Sequence, residues 1–135
     1  MQLVVDTNVL ISALLAQSKT YELLALNSLE LFVPEHSLVE IHRNKKELQK
    51  KMGVTDEEFE LALNLILSHV TVITRKHYVK FEGKAKKISP DFKDFPFFAL
   101  ALAKRIPLWT NEVRLKQQKE VIVYNTKDIV RLLCQ

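Results

Sequence analysis

The chain has 135 residues, 47% of them hydrophobic and 27% charged, which suits one globular domain with a substantial core. No apolar stretch reaches the ~18 residues of a membrane span, the N-terminus lacks the pattern of a secretory signal, and the single Cys134 excludes an internal disulfide and a thiolate metal site. We therefore expect one domain over residues 1–135 in the cytoplasm, and the formal net charge of +4 permits a polyanionic partner without requiring one.

The first residues predict a strand that passes directly into a helix. Residues 3–5 form the short apolar run of a strand buried on both faces, and Asp6 ends it. Thr7 and Asn8 suit a turn and a helix cap, and an apolar helix follows. Asp6 thus stands outside the carboxyl end of a strand, where open parallel sheets bind ligands. The alternative is that Asp6 only caps the helix.

A second short helix is expected over residues 19–26 and a second strand over residues 31–33, after which Pro34 suits the first turn of a helix. Residues 38–41 supply an apolar stripe for that helix, and Glu40 lies within it. A Glu at this place either lies in solvent at the edge of the stripe or projects into a polar pocket, and the pattern alone does not decide between the two.

Two basic segments follow, one directly after Glu40 and one in a helix expected over residues 78–88. Between them the pattern predicts a helix from Thr55 to His69 and a third strand over residues 70–73. Such basic runs are typical either of a solvated helix face or of a phosphate-binding surface. The basic residues proposed to contact phosphate are Arg43, Lys45, Lys46, Lys84, Lys86 and Lys87.

The final third repeats the architecture of the start. Asp94 precedes an apolar helix whose first turn suits Pro96, and residues 107–109 form a fourth strand. Thr110, Asn111 and Glu112 follow that strand, so a carboxylate again stands where a strand gives way to a helix.

A fifth strand is expected over residues 121–124, and Thr126 to Asp128 suit the cap of a last helix. Strands and helices thus alternate without a convincing hairpin signal, which predicts an α/β fold with a parallel sheet covered by helices on both faces. Neither G-x-G-x-x-G nor G-x-x-x-x-G-K occurs, so nucleotides held by glycine-rich loops are unexpected ligands.

Four acids lie in or beside transitions from strand to helix: Asp6, Glu40, Asp94 and Glu112. Oxygen ligands suit hard divalent cations, and no cysteine or histidine cluster accompanies them, so Mg²⁺ or Mn²⁺ is expected rather than zinc. The four histidines show no shared ligand spacing, and we expect them to lie on the surface or to make their hydrogen bonds within the protein. The polar neighbours expected to support the acids are Thr7, Asn8, Thr110 and Asn111.

Four features of the sequence together point to a known family: V-V-D-T-N-V-L-I-S-A-L, a Glu in the helix after the second strand, D-F-P-F-F-A-L-A-L-A, and P-L-W-T-N-E. Through them the chain resembles the PIN-domain family nearly from end to end. This resemblance implies a three-layer α/β/α fold around a five-stranded parallel sheet and an acidic pocket for Mg²⁺ or Mn²⁺. It also implies cleavage of single-stranded RNA, often as the toxin of a VapBC toxin–antitoxin pair, and frequent homodimerisation.

The family's acids are carried over position by position. Three of them match Asp6, Glu40 and Asp94. Asn111 matches the polar residue beside the fourth. Where the family usually reads N-D-x-D-L or G-D-x-D-F, this chain reads N-E-V-R-L, so Glu112 replaces the first Asp and Arg114 the second. Arg114 therefore brings a cation to the acidic pocket and joins the candidate RNA contacts.

Two functional classes fit these features. An active nuclease would hold one or two divalent ions on Asp6, Glu40 and Asp94, to polarise a phosphodiester and activate a water. A PIN fold with a weakened acidic site would act instead as an RNA-binding or protein-interaction module. A receiver-like regulatory domain is disfavoured, because the paired early acids and late lysine of that pattern are missing.

Overall fold

The structure is a computed structural model that describes residues 1–15 and 18–135. Within them, five parallel strands form one sheet in the order β3-β2-β1-β4-β5. The strands are β1 Gln2–Val5, β2 Glu30–Pro34, β3 Val70–Ile73, β4 Leu108–Trp109 and β5 Val123–Tyr124. The predicted five-stranded parallel sheet is therefore confirmed.

Helices connect the strands, as parallel pairing requires. In the described part of the chain they are α1 Thr7–Leu15, α2 Ser18–Leu24, α3 His36–Arg43, α4 Lys45–Met52, α5 Asp56–Leu67, α6 Glu82–Ile88, α7 Phe95–Lys104 and α8 Thr126–Leu133. Short 3-10 turns occupy Arg75–His77, Val79–Phe81, Phe92–Asp94 and Val113–Gln117. No helix in these residues is long and apolar enough to cross a membrane.

The central strand β1 is buried on both faces, as its uninterrupted apolar run predicts. Because side chains alternate along a strand, Leu3 and Val5 enter one hydrophobic core and Val4 enters the other. The first core also contains residues of α1, α4, α5 and α8, and the second contains residues of α6 and α7. These two helical layers around the sheet confirm the α/β/α architecture.

Helix α7 is the most deeply buried helix of the second layer. Its residues from Pro96 to Ala101 are all buried, as expected of a helix that is apolar all round. Each large apolar side chain that is buried in this way contributes about 1.5–3 kcal/mol of transfer free energy. The burial fixes the N-terminus of α7, and with it Asp94, against the sheet.

Five local expectations were wrong in detail. Pro34 does not open a helix: it ends β2, where it pairs in register with Ile73, because the parallel ladder extends through it. The helix expected over residues 78–88 covers only Glu82–Ile88, since Tyr78 at φ −130° separates two 3-10 turns before it. After Glu112 the chain forms a 3-10 turn rather than an α-helix.

The fifth strand is also shorter than expected, because only residues 123 and 124 pair with β4.

Helix α8 is capped by Asn125 rather than by residues 126–128 as a group. The Asn125 side chain accepts a hydrogen bond from the Asp128 backbone N–H at 2.8 Å. The Asp128 carboxylate accepts one from the Asn125 N–H at 3.0 Å, which completes a reciprocal capping box.

Replacing Asn125 with Ala should therefore lower the free energy of unfolding by about 1 kcal/mol, whereas Asn125→Ser, which retains a capping oxygen, should lose much less. Urea denaturation followed by circular dichroism measures both values at an unchanged m-value. Equal stability of the Ala and Ser variants would show that the capping box contributes nothing to the fold.

Candidate active site

The order of the strands brings separate parts of the chain to one edge of the sheet. β1 lies between β2 and β4, so the carboxyl ends of these three parallel strands are neighbours. Asp6 follows β1, α3 with Glu40 follows β2, and Glu112 follows β4 within three residues. This edge is where open α/β sheets bind their ligands.

Asp6 is 2% exposed, and both of its carboxylate oxygens accept hydrogen bonds. The Thr110 hydroxyl donates to Asp6 Oδ2 at 2.7 Å, and the Asn8 backbone N–H donates to Oδ1 at 3.1 Å. Asp6 therefore does cap the start of α1, but its second oxygen is held by Thr110, the residue directly after β4. Burial raises the pKa of Asp6, with smaller contributions from the charges of Glu40 and Glu112, while the two hydrogen bonds oppose the rise.

Glu40 is turned toward the same edge and is not a freely solvated side chain. Its Oε1 lies 2.7 Å from the buried Thr7 hydroxyl, which in turn lies 2.8 Å from the buried Ser37 hydroxyl. Because a hydroxyl has one proton, Thr7 donates to the Glu40 carboxylate and accepts from Ser37. The His36 ring nitrogen Nε2 approaches Glu40 Oε1 to 3.5 Å. The polar-pocket interpretation of Glu40 thus describes its position better than the solvent one.

Asp94 ends the turn Phe92–Asp94 and precedes α7. The pKa of Asp94 is raised to about 7, chiefly by partial burial and in addition by the charges of nearby carboxylates. Those carboxylates belong to Asp6, Asp91, Glu40 and Glu112. We call these four residues and Asp94 the acidic cluster. The four predicted acids therefore share one electrostatic environment, to which the structure adds Asp91.

Arg114 lies in the turn Val113–Gln117 and contacts two members of the acidic cluster. Its Nη2 donates to Asp91 Oδ2 at 2.8 Å, and its Nε lies 3.6 Å from Glu112 Oε1. The Glu112 backbone N–H donates to the Thr110 hydroxyl at 3.0 Å, the same hydroxyl that donates to Asp6. Thr110 thus links the strand end that carries Glu112 to the central carboxylate.

The other predicted supporting residues act differently from one another. Asn8 contributes its backbone N–H to Asp6, and its side chain is not needed for that contact. Asn111 is turned away from the acids: its Oδ1 accepts from the backbone N–H and the hydroxyl of Thr126, at 2.9 and 3.0 Å. Asn111 therefore joins β4 to the start of α8.

The donor set of the acidic cluster is chemically that of a hard divalent cation, since it consists of carboxylates supported by hydroxyl groups. Within residues 1–15 and 18–135, no three Asp, Glu, His or Cys side chains are grouped as ligands of one ion. The charges of the other carboxylates contribute to the raised pKa of Asp94, after the larger effect of its burial, and a cation bound among them would offset those charges. The residues fit a divalent ion by the chemistry of their donor atoms.

The predicted RNA contacts are spread over several elements: Arg43 ends α3, Lys45 and Lys46 begin α4, Lys84, Lys86 and Lys87 lie on α6, and Arg114 lies beside the acidic cluster. Lys45 and Lys84 form ion pairs, with Glu60 at 2.8 Å and Glu120 at 3.2 Å. Lys86 Nζ lies 4.8 Å from the centre of the Phe95 ring, the residue after Asp94.

Sequence reasoning missed three residues of this site: His36, Ser37 and Asp91. His36 and Ser37 precede Glu40 by four and three positions, which places them near the same helix face. Asp91 precedes Asp94 by three positions in D-F-K-D. The acid pair was visible in the sequence, but the partner of Asp91, twenty-three residues away, was not.

The electrostatics of Asp94 predict a pH-dependent stability. An Asp in the unfolded chain titrates near 3.8, whereas Asp94 in the folded, metal-free protein titrates near 7. Below about pH 4 the carboxyl is protonated in both states and costs nothing. As the pH rises to about 7, the unfolded chain alone loses this proton, so the folded state becomes relatively less stable. Asp94→Asn should therefore be more stable than the wild type at about pH 8 and equal to it near pH 4.

Urea denaturation in EDTA at both pH values measures this difference. Asp128→Asn is the matched control, because the hydrogen bond from Lys116 lowers the pKa of Asp128 and the sign reverses. Neutralising Asp128 should destabilise the protein above about pH 4. A pH-independent effect of Asp94→Asn would mean that the acids do not interact.

Comparisons with known proteins agree with the fold. The family model described as PIN domain matches residues 4–124. Among solved structures, a chain of the crystal structure of VapBC2 from Rickettsia felis bound to a DNA fragment from their promoter is similar, with a TM-score of 0.68 and 22% sequence identity. The alignment covers 93% of this chain and 98% of that chain.

At this identity the structural similarity shows the fold alone. Among curated proteins, no sequence matches significantly. The family match is decisive, because residues 4–124 include all five carboxylates of the acidic cluster and all five strands but the first two residues of β1. The chain therefore belongs to the PIN-domain family, whose members are nucleases and generally metal-dependent.

Proposed function

We propose that this protein is a Mg²⁺- or Mn²⁺-dependent endoribonuclease that cleaves single-stranded RNA. Its site comprises Asp6, Glu40, Asp94 and Glu112. The observation that carries the proposal is that these four acids, from separate parts of the chain, lie at one edge of the sheet, where burial above all, and then the charges of the other acids, raise the pKa of Asp94. Titratable groups perturbed by burial and by specific neighbours mark functional sites.

The supporting hydroxyls make the proposed ligands rigid. Thr110 orients the Asp6 carboxylate, and Thr7 orients Glu40 while Ser37 holds Thr7. Groups that orient metal ligands in this way commonly contribute about 10- to 100-fold to metal affinity or activity. The Asp94 side chain makes no capping hydrogen bond, and its place is set by the buried helix α7 that follows it.

The residues proposed to hold the ion are Asp6, Glu40 and Asp94, with Glu112 at the rim. When bound, a divalent ion supplies Lewis acidity that polarises a phosphodiester and acidifies a water molecule. The chain itself contributes carboxylates that orient the ion and balance its charge. Because a water molecule would be the attacking group, no side-chain nucleophile is needed. A cation between them would also relieve the repulsion that raises the pKa of Asp94.

Exposed groups beside the acidic cluster suit single-stranded RNA. Phe92 is 63% exposed and lies between Asp91 and Asp94, with its ring centre 5.4 Å from that of Phe95. An exposed aromatic ring can stack on a base, and unpaired bases offer their faces. Lys86 and Lys87 on α6 would bind the phosphates on this side, and Arg43, Lys45, Lys46, Lys84 and Arg114 are the further proposed contacts.

We also propose protein partners. The solved relative is a VapBC assembly, which supports a small antitoxin as the partner of this chain. Homodimerisation is supported by Leu61 and Leu65, which lie one turn apart on α5 and are 72% and 54% exposed. We also propose that the reaction takes place in the cytoplasm, where an RNA substrate is available.

The first test is cleavage of a labelled single-stranded RNA by purified protein in Mn²⁺ and in EDTA. Wild-type protein should cleave only with Mn²⁺, and Asp6→Asn or Asp94→Asn should reduce the rate by more than about a hundredfold, since even the outer partners of metal ligands contribute 10- to 100-fold. Asp56→Asn, at an exposed acid on α5, is the matched control and should retain the rate of the wild type.

Two results would reject this assignment. Full cleavage by both Asp6→Asn and Asp94→Asn would place the reaction elsewhere. If the wild type binds RNA but cleaves it in neither Mn²⁺ nor Mg²⁺, the alternative is favoured, which is a PIN fold that acts as an RNA-binding module.

A second test concerns the phosphate contacts. In an Asp94→Asn background, RNA affinity should fall steeply with salt, and replacing Lys86 and Lys87 with Gln should flatten the log–log slope by about 1.4, at ~0.7 for each lost contact on a single strand. Fluorescence anisotropy at a series of salt concentrations measures the slope. Replacing Lys50 and Lys51 removes the same charge from α4 and should leave it unchanged. Equal slopes in the two double variants would assign Lys86 and Lys87 to an ordinary solvated surface.

A further inference from the structure

The members of the acidic cluster differ in whether an arginine or lysine side chain pairs with them. Arg114 contacts Asp91 at 2.8 Å and Glu112 at 3.6 Å. In the described part of the chain, no other Lys or Arg forms an ion pair with a member of the cluster. Asp6, Glu40 and Asp94 therefore have no permanently charged partner, and only Glu40 has a titratable one, His36.

Arg114 joins two segments that are distant in sequence. It lies in the turn that follows β4, and Asp91 lies just before the turn that leads to α7. A guanidinium group keeps its charge at every physiological pH and donates through a planar fork. A fixed positive charge is therefore present on one side of the cluster before any ion binds.

We infer that Arg114 supplies the second cation of this site, so that the acidic cluster binds one divalent ion, on Asp6, Glu40 and Asp94, and not two. This inference rests on the proposed function. In two-metal sites the ions lie about 3.5–4 Å apart and need carboxylates for both positions. Here the two remaining carboxylates, Asp91 and Glu112, are engaged by Arg114, and its charge repels a second ion.

The guanidinium also remains available to the substrate. Arg114 Nη1 makes no hydrogen bond to another described residue, and the side chain is 56% exposed. Arginine binds phosphate oxygens through its fork of N–H groups, whereas a carboxylate-bound metal ion would have to lose a ligand or water first. Arg114 would thus donate to a phosphate oxygen of the substrate beside Asp91 and Glu112.

Counting bound Mn²⁺ tests this without reference to cleavage. The number of bound ions is measured by isothermal titration calorimetry and, independently, by electron paramagnetic resonance of the free Mn²⁺. Both should give one Mn²⁺ for the wild type and for Arg114→Lys, which keeps the charge. Arg114→Gln, which removes the charge at similar length, should give two. Arg131→Gln removes one charge from an arginine that pairs with no member of the cluster and should give one. Because exposed ion pairs contribute little stability, the Arg114 variants should fold, and circular dichroism checks this.

The outcomes separate the inference from the proposed function. Two ions in the wild type, or fewer than two in Arg114→Gln, would overturn the role of Arg114 and leave metal-dependent cleavage intact. No Mn²⁺ binding by folded wild-type protein would overturn the metal site of the proposed function, and the role of Arg114 with it.

Discussion

The gathering of carboxylates at one edge of the sheet is the constraint on which the site depends. A buried ionised carboxylate that lacks hydrogen-bond donors costs several kcal/mol, which is a large fraction of the stability of a domain. Asp6 is tolerated because a hydroxyl from β4 and a backbone N–H from α1 both donate to it. At the end of β1, hydrogen bonds from neighbouring residues thus offset part of the free energy that burying the Asp6 charge costs.

The hydrophobic cores make this compromise possible. β1 is covered on both faces, so its end is fixed relative to β2 and β4, and α7 is buried so completely that Asp94 has little freedom to move away. In a less rigid fold Asp94 could move into solvent and away from the other carboxylates, and its pKa would return toward the ordinary value. The packing of the apolar residues thus maintains both the burial and the proximity that raise this pKa.

Much of this could be predicted from the sequence, because the signals are local. An apolar run that ends in Asp6, and an apolar helix preceded by Asp94, need only neighbouring residues to be read. Glu40 was ambiguous because its orientation depends on Thr7, thirty-three residues away. Pro34 was misassigned because a local preference for the first turn of a helix yields to pairing with β3, and the ion pair of Arg114 with Asp91 has no sequence signal at all.

The short strands on one side of the sheet have a consequence for how copies of this chain can meet. β5 is an edge strand, and it pairs with β4 through only two residues before Asn125 begins the capping of α8. An edge so brief presents few free N–H and C=O groups to a neighbouring backbone, which is how native sheets avoid edge-to-edge aggregation. Any assembly of this protein on that side must therefore use side chains on helix surfaces, and a continuous intermolecular sheet is disfavoured there.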